Sequence, residues 1–176
     1  MQRGLIIATV DPVNLTAHQK FVTIIEGSDV MNATDEPTYK LMKIAVHAAN
    51  QYYDHRTAKH VNRVADYILE DNVIPEDIKS ECMAVALMHD LIEDTNWEPY
   101  ELYPDYEDAY KALRLLTNKG MKYDEYCRKI HDSARTRYGQ IAWFVKLADI
   151  KDHLILKDTL TDRLKEKYIS GLRHLL

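Results

Sequence analysis

The chain has 176 residues, 46% of them hydrophobic and 29% charged, with a formal net charge of −5. That length suits one domain with a full hydrophobic core, and five glycines and five prolines argue against low-complexity disorder. The acidic balance argues against a duplex nucleic-acid binder, which would show a basic face. No apolar run approaches a membrane span and no secretory signal opens the sequence, so a cytoplasmic protein with no membrane partner is expected.

Residues 1–36 read differently from the rest. Leu5 to Val10 and Phe21 to Ile25 are β-branched runs separated by Asp11-Pro12, which favours two short strands and predicts a small hairpin or arm. From there on the pattern is all-α, a bundle of six or seven helices over 37–176. The apolar spacing predicts helices at about Pro37 to Tyr53, Thr57 to Asp71, Pro75 to Glu93, Tyr106 to Thr117, Tyr123 to Arg137, Tyr138 to Lys157 and Asp162 to Leu176. Pro75 fits a first helical turn, and Glu76 and Asp77 suit the positive end of its dipole. Gly120 reads as a left-handed cap after the Ala109–Leu116 stripe, and Pro99 and Pro104 hold an irregular stretch. Cys82 and Cys127 fall on helices, which favours free structural thiols over a disulfide.

The chemistry concentrates in three places. His60 opens a helix whose core face is Val61, Val64, Ala65, Ile68 and Leu69. His89-Asp90-Leu91-Ile92-Glu93-Asp94-Thr95 follows the wholly apolar Cys82 to Met88. On one continuous helix His89 and Glu93 would share a face, as would Asp90 and Asp94, because residues four apart stack. Asp149 lies amid core residues in Phe144 to Leu154, three residues after Lys146 and four before His153. Carboxylates and imidazoles in such company are costly unless paired or bound to a metal. Two imidazoles and two carboxylates, His60, His89, Asp90 and Asp149, would form a mixed nitrogen–oxygen site. It suits Mn(II), Fe(II), Co(II) or Zn(II) better than Mg(II) or Ca(II).

In their order, His60, then His89-Asp90, then Asp149, these residues resemble the HD-domain metal-dependent phosphohydrolases. The His-Asp-x-x-Glu-Asp-Thr string from His89 to Thr95 and the Lys-Leu-Ala-Asp from Lys146 to Asp149 are similar to the branch that hydrolyses guanosine tetraphosphate. That branch includes the RelA/SpoT-type hydrolases and the small alarmone hydrolases. The resemblance implies one divalent cation, manganese first and Fe, Co, Ni or Zn as alternatives, held by His60, His89, Asp90 and Asp149. It implies that Glu93 and Asp94 orient a water and take its proton. Arg56, Lys119, Lys122 and Tyr168 become candidate substrate contacts, and Lys146 either supports the Asp149 face or reaches phosphate. Two departures fall on substrate recognition. The run from Tyr53 to Val61 lacks the branch's Gly-x-Pro-Tyr, and His153 stands where the branch has a nucleoside-contacting Asn.

The expected function is thus a metal-dependent phosphohydrolase acting on a nucleotide, most simply a guanosine 3′,5′-bis(diphosphate) 3′-pyrophosphohydrolase. Two alternatives stay open: hydrolysis of another nucleotide, or a non-catalytic nucleotide-binding regulatory module. A homo-oligomer is also left open.

Overall fold

Helical spacing from Glu36 onward produces helices throughout. A computed structural model describes residues 36–156 and 158–176, and among them every regular element is helical and no strand occurs. The order is α1 (Glu36–Tyr52), α2 (His55–Glu70), α3 (Glu76–Met88), α4 (Leu91–Asp94), a 3₁₀ turn (Pro99–Leu102), α5 (Glu107–Leu116), α6 (Tyr123–Ser133), α7 (Arg137–Ile155) and α8 (Asp162–Leu175). The hairpin expected within residues 1–36 lies outside the described residues.

Local chemistry sets the helix ends. The Asp54 carboxylate accepts the Thr57 N–H at 2.8 Å and starts α2. Thr136 and Thr161 accept the amides of Gly139 and Leu164 and start α7 and α8. Each cap satisfies a donor that the first turn leaves orphaned. Pro75 precedes Glu76 as the cap of α3, with Glu76 and Asp77 in the first turn as expected.

Three expectations are corrected. Pro99, expected in an irregular stretch, opens a 3₁₀ turn. Gly120 does have a positive φ of 85°, but α5 already ends at Leu116, with Thr117 as its C-cap. Gly120 instead serves a turn closed by reciprocal bonds between the Asn118 side chain and the Met121 backbone. The third correction matters most: the helix expected to run from Pro75 to Glu93 breaks at His89–Asp90.

That break has a specific cause. In a continuous helix the Ala86 carbonyl would accept the Asp90 N–H. Here the His89 side chain donates to Ala86 O from Nδ1 at 2.8 Å, and the Asp90 N–H goes to the Tyr53 hydroxyl at 3.1 Å. Asp90 takes φ −96° and ψ −5°, the sparsely used bridge region. The carbonyl and the amide both keep a partner, but no longer each other.

Packing centres on α3 and α7. In α3 the residues Cys82 to Met88 are all buried, and α7 buries Ile141, Ala142, Val145, Ala148 and Ile150. These helices pack on each other and both on α2 and α5, while α1 covers α3 and α6 and α8 close the far side. Arg137 at the start of α7 clamps Asp77 and Glu81 of α3 at 2.8 and 2.9 Å. The end of α8 is tied down because Trp143 Nε1 and His131 Nδ1 both donate to the Leu175 carbonyl. Cys82 and Cys127 are buried free thiols, and burial pushes the Cys82 thiol up to about 12. Among the described residues no helix is long and apolar enough to cross a membrane.

Candidate metal centre

Where α2, the α3–α4 break and α7 meet, four side chains from three segments far apart in sequence turn toward one another. His60 comes from the first turns of α2, His89 and Asp90 from the break, and Asp149 from the middle of α7. His60 Nε2 lies 3.3 Å from Asp149 Oδ1 and 3.7 Å from Asp90 Oδ2. His89 Nε2 lies 3.2 Å from Asp90 Oδ1 and 3.8 Å from Asp149 Oδ1. His60 Nε2, His89 Nε2 and Asp149 Oδ1 are buried, and none has a hydrogen-bond partner of acceptable geometry.

Three orphaned polar atoms facing one another need a reason, since each costs about 1–3 kcal/mol when left unpaired. A shared cation supplies one. Ligating atoms roughly 2.0–2.2 Å from a common ion stand about 3 to 4 Å from one another, the spacing found here. The opposite ring nitrogens agree. His89 Nδ1 faces a carbonyl, which only accepts, so Nδ1 carries the proton and Nε2 presents its lone pair. His60 Nδ1 lies 2.7 Å from the Asp152 carboxylate, which fixes the same tautomer. A carboxylate or carbonyl behind each imidazole is the usual support for a metal-binding histidine. The residues fit a divalent ion.

Asp152 is fully buried and also receives Arg63 Nε and Nη2 at 2.7 and 2.8 Å. Burial works against its charge, but hydrogen bonds from His60 and Arg63 hold its carboxyl down at about 2. Burial likewise opposes protonation of His60, yet Asp149, Asp152 and Asp90 raise its pKa to about 9. His89 is raised too, burial being overcome chiefly by the Asp90 charge. Asp149 is desolvated, but the Lys146 ammonium 2.7 Å from Oδ2 and the neighbouring imidazoles keep its carboxyl well below the usual range. Lys146 itself lies over the rings of Tyr126 and Tyr123. It holds one oxygen of Asp149 and leaves the other facing the histidines.

His153, one turn beyond Asp149, joins the cluster. Its Nε2 is 3.1 Å from Asp149 Oδ1, and its ring stacks on Tyr168 with centroids 4.7 Å apart and planes 6° from parallel. Tyr168 is buried behind that stack.

The centre forms one wall of a cleft of about 600 Å³ lined by Arg56, Thr57, Lys59, His60, Arg63, Asp90, Asp94, His153 and Thr159, among others. A second cleft, about 510 Å³, lies beyond α4 and is lined by Glu93, Asp94, Arg114, Asn118 and Lys119. Asp94 borders both. Burial and then the Asp90 charge push its carboxyl up. Glu93 turns to the second cleft, where Oε1 accepts the Asn118 N–H. Of the sequence-derived substrate candidates, Arg56 and His153 line the first cleft, Lys119 the second, and Lys122 caps the start of α6, lining neither.

Sequence reasoning missed Asp152, Arg63 and Tyr53 as supporting residues. A signal existed for two of them: Arg63 follows His60 by three residues and Asp152 follows Asp149 by three, so each shares its partner's helix face. No family model, curated protein or solved structure matches the chain.

Proposed function

We propose that the protein is a metal-dependent phosphohydrolase acting on a nucleotide, with guanosine 3′,5′-bis(diphosphate), cleaved at its 3′-pyrophosphate, as the leading substrate. The observation that carries this reading is the convergence of His60 Nε2, His89 Nε2 and Asp149 Oδ1, all buried and unpartnered, with Asp90 beside them. His60, His89, Asp90 and Asp149 would hold the ion. When bound, such an ion polarises a phosphoryl oxygen and makes water acidic enough to attack at neutral pH.

The chain's own groups do the rest. Arg56 and Lys59 stand on the exposed rim of the first cleft, next to the start of α2, and would neutralise phosphate. Asp94, bordering the cleft one turn beyond Asp90, would take the proton of the attacking water. Its raised pKa moves it toward the range useful for a base. Glu93 would hold the Asn118 turn and the second cleft, where Lys119 lies. Lys146 keeps Asp149 ionised and oriented rather than reaching substrate.

A second reading within the same chemistry, hydrolysis of a different nucleotide, has its own support. His153 occupies the nucleoside-contacting position of the resembling branch, and it covers the face of Tyr168 that could otherwise stack on a base. The test is kcat/KM for guanosine 3′,5′-bis(diphosphate) against mono- and triphosphates of all bases, with Mn(II), Co(II) and Zn(II). Release of pyrophosphate from the alarmone, preferred over the panel, supports the leading reading, and preference for another nucleotide supports the second. Flat or absent turnover rejects both.

A further inference from the structure

We propose that His153 is a third imidazole ligand of the centre, and that it turns the site's preference from Mn(II) toward Zn(II), Co(II), Ni(II) or Fe(II). This inference rests on the metal reading above and extends it to a residue outside the His60, His89, Asp90 and Asp149 set.

Four observations carry it. The ligating atoms of His60, Asp149 and His153 lie within 4.8 Å of one another, as do those of His60, His89 and Asp90. The two triads share His60. His153 Nε2 is 3.1 Å from Asp149 Oδ1, closer than either of the other imidazoles, yet Asp149 Oδ1 has no hydrogen-bond partner. Two polar atoms that close without a hydrogen bond fit a geometry in which both point at a third body rather than at each other. Helix spacing fixes the placement, because His153 stands one turn after Asp149 on α7 and must project from the same face. The ring is also held: Tyr168 stacks flat against it and the His60 ring lies 4.9 Å away on centroids. An exposed histidine with no role would be free to turn toward solvent, whereas this one is braced with Nε2 toward the cluster.

The consequence for metal choice follows from ligand type. Two imidazoles and two carboxylates accommodate Mn(II), but a third imidazole adds a nitrogen that later first-row ions bind more strongly. Lys146 reinforces the bias by taking one Asp149 oxygen, which leaves that carboxylate a single atom to offer.

The experiment compares metal-depleted wild type with His153→Asn and His153→Gln. X-ray absorption on the Zn(II)-loaded proteins counts imidazole ligands, and competitive titration gives relative affinities for Zn(II), Co(II) and Mn(II). The expected result is three imidazoles in wild type and two in the variants. Zn(II) and Co(II) affinity should fall at least about tenfold, with Mn(II) affinity changed far less. Two imidazoles in wild type, or equal losses for all three ions, would overturn this inference while leaving the four-residue centre intact. A wild-type protein that binds no divalent ion would overturn both. His153 is partly exposed, so the variants should fold, and the wild-type count decides the matter on its own if they do not.

Discussion

At His60 the two ring nitrogens have separate partners: Nδ1 meets Asp152 and Nε2 faces the cluster. Without an ion, the pair gives stability a defined pH window. His60 is raised from 6.5 to about 9, so its contribution is complete below pH 6.5 and is lost as pH climbs through 9. Asp152 is lowered from 3.8 to about 2, so its contribution is complete above pH 3.8 and is lost as pH falls through 2. The metal-depleted protein should therefore melt highest between about pH 4 and 6.5, with a falling alkaline arm. Bound metal replaces the proton on Nε2 and should remove that arm. Thermal melts with and without chelator check this, and a chelated protein with a flat profile from pH 6.5 to 9 would contradict it. Asp94 and Glu93 also separate at this scale. Asp94→Asn should lower kcat by roughly 10²–10⁴ with metal retained. Glu93→Gln should cost much less, since an amide oxygen can still accept the Asn118 N–H. Equal losses would return Glu93 to proton transfer.

Among the elements, α7 carries the most, and its first turn has no spare room. A Cβ on Gly139 would lie 1.8 Å from the Ser133 carbonyl oxygen and 2.3 Å from its carbon. Backbone cannot swing aside, so Gly139→Ala must displace the junction of α6 and α7. A loss of about 1–3 kcal/mol is expected from overpacking, read as a lower denaturant midpoint; an unchanged midpoint would mean that the junction yields freely. The helices themselves were legible from the sequence because apolar spacing and capping residues are local. The side chains that converge at the site were legible for a related reason: His89 and Asp149 are polar residues inside apolar runs. The break at His89–Asp90 was not, because the hydroxyl that takes the Asp90 amide belongs to Tyr53, 37 residues away. Nor was the position of Tyr168, whose spacing is the same whether its ring faces a cleft or a histidine.

For the whole molecule, the centre is where three helices are joined, not a patch on one of them. Asp152 of α7 binds His60 and Arg63 of α2, Asp149 faces residues of α2 and of the α3–α4 break, and Arg137 ties α7 back to α3. Removing Asp152 by Asp152→Asn would leave Arg63 beside a neutral amide and His60 without its carboxylate. Breaking a buried ion pair in this way costs about 3–5 kcal/mol, reduced here because Arg63 is partly exposed. The variant should lose both metal affinity, by roughly 10–100-fold, and thermal stability. Loss of stability with full affinity would show that Asp152 serves the fold alone.

The exchanged partners at Ala86 and Asp90 leave one more trace. The Asp90 amide proton is guarded by a side chain, not by a helix, and that side chain sits just past the end of α1. Its exchange with solvent deuterium therefore records how often the end of α1 lifts from the centre. Tyr53→Phe should speed exchange at that amide while its neighbours in α3 stay slow. If loading an ion slows it in the wild type, α1 and the centre open together; if not, the chain's first described helix moves on a clock of its own.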